Sequence, residues 1–159
     1  MVATREERIV IPPVLESVLR YCLKDAKERM EKGEQVLPFS ALAVKETLFM
    51  EEHPGDSVAD CFNSARKTVQ NAKGADAYGF CYDGYLDAEN DQKIDCIIAE
   101  GGVPGAEYGH AIGLPYHFDA SGNPVFQEEP VYVSKSLNYM LNAVPDIDDE
   151  DDDEDEDDD

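Results

Sequence analysis

The run from Asp76 to Glu100, DAYGFCYDGYLDAENDQKIDCIIAE, decides the fold. Its residues alternate with a period of two, which is the signature of extended strands. Ala77–Tyr85 reads as one strand, Asp87–Asp91 as a polar turn, and Lys93–Glu100 as the returning strand of a hairpin. Large side chains fall on even positions (Tyr78, Phe80, Tyr82), and Ala77, Gly79, Cys81 and Asp83 fall on odd ones. A turn centred on Glu89 would set Tyr82 opposite Cys96 and Phe80 opposite Ile98.

Downstream, Glu107–Phe118 repeats the alternation, with Tyr108, His110, Ile112, Leu114 and Tyr116 even and Gly109, Ala111 and Gly113 odd. Pro115 lacks an amide donor and suggests an edge or a bulge. Asp119–Asn123 is a turn. Val125–Val133 is a fourth strand broken by Glu128, Glu129 and Pro130, and Ser134 is placed to cap a short helix through Leu141.

Upstream, the period is helical. Leu15, Val18, Leu19, Cys22, Leu23 and Ala26 recur at three- and four-residue spacing after Pro12-Pro13, and Gly33 stops the helix. A second helix starts at Ser57, carries Val58, Cys61, Phe62, Ala65, Val69 and Ala72 on one stripe, and is stopped by Gly74. Between them, residues 36–52 read as two short strands around Lys45-Glu46. A helix from Ser40 is the rival, because Ala, Leu, Lys and Glu are good helix formers. His53–Asp56 is a turn.

The expected fold is therefore α+β, an antiparallel meander with two amphipathic helices packed on one face and a short C-terminal helix. Two accounts of the sheet faces compete. In one, the aromatic face is the core and the small face is wet. In the other, the small face receives the helices, and the aromatic face lies open to a partner or ligand.

The chain has 159 residues, 36 acidic and 13 basic, for a formal net charge of −23. The last 14 residues, 146–159, hold 13 of the acidic ones; the other 145 residues carry 23 acidic against 13 basic side chains, a net of −10. The expected organisation is one domain over 1–145 and a disordered acidic tail over 146–159, whose only apolar residue is Ile147. Such a chain has no basic footprint for nucleic-acid phosphates. The tail points to a basic protein partner or to a solubilising terminus. Arg5, Arg8 and the Lys24–Arg29 stretch are the local basic groups it could shield.

Cys22, Cys61, Cys81 and Cys96 are separated by 39, 20 and 15 residues, with no C-x-x-C pair, and each falls in an apolar stripe or strand. They read as small buried hydrophobes. No apolar run approaches a membrane span, and the N-terminal MVATREERIV has no hydrophobic signal region, so a cytoplasmic setting is expected.

Motifs for chemistry are sparse. Gly101-Gly102-Val103-Pro104-Gly105 matches no phosphate-binding pattern, and Pro104 removes a donor that such a cradle would use. His117 and Asp119 share one strand face but lack a third metal ligand. Asp83 and Asp95 lie across the hairpin near its polar end and read as solvated carboxylates. A Cys–His nucleophile would need a feature that lowers the thiol pKa, and the acidic surroundings work the other way. No metal or cofactor is expected.

The leading reading is a non-catalytic interaction module, with homodimerisation through the sheet as one form. A small enzyme or ligand-binding protein is the alternative, with a pocket on the aromatic face around Tyr82, Cys96, Tyr108 and His110. A tail acting on basic partners is the third reading.

Overall fold

A computed structural model describes residues 10–53, 57–72, 74–87 and 89–141. The acidic tail of 146–159 and residues 1–9 lie outside the described residues, as does most of the expected His53–Asp56 turn.

Helix α1, Pro13–Glu31, begins at the Pro12-Pro13 pair and buries the expected stripe from Leu15 to Ala26. It ends on Gly33 at φ +82°, where the Gly33 amide donates to Met30 O and the Glu34 amide to Arg29 O. These two bonds satisfy carbonyls that a helix end leaves free. Strands β1, Phe39–Val44, and β2, Thr47–Glu52, form a hairpin turning at Lys45-Glu46, so residues 39–52 are strands and not the rival helix. Helix α2, Val58–Asn71, is capped by Ser57, whose Oγ accepts from the Asp60 amide at 3.1 Å. Strands β3 (Ala77–Asp87), β4 (Lys93–Gly102), β5 (Gly109–Phe118), β6 (Pro124–Phe126) and β7 (Val131–Ser136) follow.

Among the described residues the architecture is α+β: a seven-stranded antiparallel sheet with two α-helices. The strand order is β2-β1-β3-β4-β5-β6, and β7 also pairs with β5. The broken fourth strand takes the form of β6 and β7, which share one edge of β5 and are parted by residues 127–130. Pro115 sits opposite that break. Its carbonyl accepts from the Gln127 amide at 2.9 Å, so its ring nitrogen faces the same edge, where the pairing is interrupted. Among the described residues no helix is long and apolar enough to cross a membrane.

The structure differs from four sequence expectations. The helices take opposite faces. Helix α1 covers β3 and β4, and the core between them holds Leu19, Cys22, Phe39, Ala41, Cys81, Ile97 and Ala99. Helix α2 lies over the other face, where Val69 joins Tyr78, and Phe62 meets Phe80 edge-on at 4.9 Å. The crossover from β2 to β3 must pass over one face of β1, and α1 already fills the other.

The large even positions also do not form one face. Tyr82 pairs with Ile98 and Ile98 with Gly113, so β4 and β5 match residues of opposite parity. Even residues of β3 and β4 therefore lie under α2, while Ile112, Leu114 and Tyr116 lie under α1. The β3–β4 turn centres on Asn90, one residue later than expected. Asn90 and Asp91 take left-handed backbone there, which shifts the pairing by two residues and keeps the faces.

The expected helix from Ser134 to Leu141 is absent. Ser134–Ser136 complete β7, and residues 139–141 form a turn. The run Val131-Tyr132-Val133 is β-branched and aromatic, and pairing with β5 outweighs the weak capping signal of Ser134.

Candidate functional site

The register separates the four candidate residues into two pairs. Tyr82 and Cys96 lie on the α2 face, together with Ile98 and Ala111. His110 pairs with Gly101 and lies on the α1 side, with Tyr108 against it.

On the α2 face, Tyr82 leans on Phe62 and Phe80 at ring distances of 5.1 and 5.4 Å. Its hydroxyl donates to Glu100 Oε1 at 3.0 Å. Burial pushes the Glu100 carboxyl above its ordinary range, and the Tyr82 bond pulls it part of the way back. Cys96 is fully buried, its thiol pushed up to about 11 by burial, so it is poorly suited to act as a nucleophile. A side chain at Gly113 would meet the Cys96 sulfur, which explains the glycine.

On the α1 side, the ends of β5 and β7 build an aromatic patch. His110 lies between Tyr108 and Tyr132, with ring centroids at 5.5 and 5.9 Å. His110 Nδ1 and the Tyr132 hydroxyl share a hydrogen bond of 2.9 Å. Lys135 Nζ sits 4.3 Å from the centre of the Tyr108 ring, a cation–π contact. Burial, and then Lys135, hold the His110 imidazole below its ordinary range, which favours the neutral form. Tyr108 and Tyr132 are 39% and 38% exposed. Beside them runs a groove of about 270 Å³ lined by Ile11, Glu16, Arg20, Ile112, Val131 and Tyr132, among others. Arg20 pairs with Glu16 at 3.0 Å and reaches Glu129 at 3.8 Å, which ties α1 to the β6–β7 break.

Several other polar groups find partners within the fold or at its surface. His53 bridges Ser40 Oγ at 2.7 Å and Ser64 Oγ at 3.0 Å, joining β1 to α2. Asp83 accepts from the Tyr116 hydroxyl at 2.8 Å, and Asp95 is paired with Tyr85, not with Asp83. Asn138 closes the glycine-rich loop: its Nδ2 donates to Val103 O and Ala106 O, and its Oδ1 accepts from the Met140 amide. A Cβ on Gly102 would collide with Asn138, so this loop is shaped to hold an asparagine. All four cysteines are buried and unpaired. No group of three or more His, Cys, Asp or Glu side chains suited to a metal ion occurs among the described residues.

Tyr132 and Lys135 were not singled out by sequence. Lys135 fell within the expected helix, and only the β-forming run before it signals that the strand continues. No known protein family, curated protein or solved structure matches this chain.

Proposed function

We propose that the protein is a non-catalytic interaction module that receives an apolar segment of a partner protein on the Tyr108–His110–Tyr132 patch and its adjoining groove. The observation that carries this reading is the pair of half-open tyrosines beside an apolar groove floored by Ile112 and Val131. Tyrosine gives large contact area at little loss of side-chain freedom and is enriched where proteins meet. Arg20 is already paired with Glu16 and Glu129, and Lys135 at the rim favours a partner with an acidic group beside its apolar residues.

A photo-crosslinking residue at position 132, introduced in the full chain, tests this. The expected result is one discrete adduct that disappears when Tyr108→Ala is added. A control at the exposed Tyr85, on the β3–β4 hairpin, should give none. Equal labelling from both positions would sink the reading.

A second reading rests on the Tyr82–Glu100 pair, a phenol beside a carboxyl of raised pKa, which suits a small-molecule site on the α2 face. Small-molecule screening by NMR separates the two, because hits would shift Tyr82 and Phe62 and leave Tyr108 and Tyr132 unmoved. The acidic tail supports a third reading, contact with a basic partner. Binding of that kind would weaken with salt and vanish on removal of 146–159.

A further inference from the structure

The two edges of the sheet are protected to different degrees. The β5 side ends in β6 and β7, which carry Pro124 and Pro130, Glu128 and Glu129 in the break, a register shift after Tyr132, and Lys135. Prolines, bulges and charges of this kind keep an edge from pairing with another chain. The β2 edge is six residues of regular strand, and among the described residues it pairs only with β1.

Leu48, Phe49 and Met50 are consecutive, so β2 carries apolar side chains on both faces. Phe49 is 55% exposed and Met50 37%. A continuous apolar run belongs to a strand with neighbours on both sides. The His53 amide donates to Pro38 O, so Glu51, Phe49 and Thr47 turn their backbone groups towards β1. Leu48, Met50 and Glu52 turn theirs outward.

We infer that β2 pairs antiparallel with β2 of a second copy of this chain, about a two-fold axis at Phe49, joining the two sheets into one. A two-fold perpendicular to the sheet keeps the faces aligned only when residues of like parity meet. With Phe49 opposite itself, Leu48 meets Met50 and Thr47 meets Glu51. Lys45 then lies diagonal to Glu51 of the second copy on the same face, within reach of a long side chain. Glu52 is already paired with its own Arg29 at 2.9 Å, which also holds Asp25. Glu46 then faces Glu52 of the second copy, a like-charge contact that the Arg29–Glu52 pair offsets in part.

Light scattering on the full chain should give about 35 kDa, twice the 17.6 kDa of one chain. Met50→Pro removes an outward amide without touching the β1–β2 ladder and should return the mass to that of one chain. Phe49→Cys places two thiols opposite each other at a non-hydrogen-bonded pair, about 4.5 Å between Cα atoms, which a disulfide can span. Under mild oxidation it should cross-link nearly completely, and Leu48→Cys and Met50→Cys should do so at least tenfold more slowly. The native cysteines are buried and will not compete. A single-chain mass up to millimolar concentration overturns the inference. So does a dimer that survives Met50→Pro, or cross-linking at position 48 or 50 as fast as at 49.

Discussion

Under α1 the sheet presents Ala41, Ala77, Gly79 and Ala99; under α2 it presents Tyr78, Phe80 and Tyr82. Small residues let α1 approach closely. A Cβ on Gly79 would already stand 3.0 Å from Val18 and 3.2 Å from the Cys22 sulfur. The aromatic rings hold α2 further from the strands, and polar groups fill the space that remains, with His53 bonded to Ser40 and Ser64. One face is fixed by shape and the other by aromatic edges and hydrogen bonds. The α1 face should therefore respond most to changes of volume, and the α2 face to changes of charge.

The largest expected effects lie under α1. Leu19 is fully buried, and Leu19→Ala should cost about 3–5 kcal/mol in a denaturant titration. Gly79→Val should cost about 1–3 kcal/mol or more, because the helix must shift to admit it. Phe62→Ala on α2 removes a partly exposed ring and should cost only about 1–2 kcal/mol. A Phe62→Ala penalty equal to that of Leu19→Ala would break the comparison.

The helices, the β1–β2 hairpin and the broken last strand were legible because each rests on local pattern. Examples are the stripe from Leu15 to Ala26, the Ser57 cap, and the Glu128–Pro130 interruption. The division of the faces was not, because it depends on how β4 meets β5 across the Val103–Tyr108 connection. One residue more or less in a connection reverses every side chain beyond it. Sequence alternation therefore grouped Tyr82 and His110, which the register puts on opposite sides. The Tyr108–His110 pair was legible as neighbours two residues apart. Tyr132, which completes the patch, required the long-range pairing of β7 with β5.

Acid sensitivity separates the faces at a smaller scale. Burial holds His53 below its ordinary range against a lesser upward pull from Glu51, and burial and Lys135 lower His110. Both imidazoles bind protons less readily folded than unfolded. Their contribution to stability is complete above the unfolded value near 6.5 and is lost as pH falls below it towards the folded values. His53→Gln should flatten the slope of unfolding free energy against pH between about 6.5 and 5. His110 should contribute the remainder. An unchanged slope would mean that the Ser40–His53–Ser64 bridge does not discriminate between protonation states.

The smallest effect tests the charge side of the comparison directly. Glu100 is raised by burial, so its ionised form is disfavoured in the folded chain. That penalty is full above its raised folded pKa, and it fades as the pH falls through that value to the ordinary carboxylate range near 4. Glu100→Gln keeps an acceptor for the Tyr82 hydroxyl and removes the charge. It should raise stability at pH 7 by a few tenths to about 1 kcal/mol, and the gain should disappear near pH 4. Asp83, also raised by burial but held by the Tyr116 hydroxyl on the α1 face, serves as the counterpart. Asp83→Asn should give the same sign. If Glu100→Gln destabilises at every pH, then the carboxylate is stabilised by its surroundings on the α2 face. In that case the Tyr82–Glu100 pair is a built polar site and not a tolerated burial.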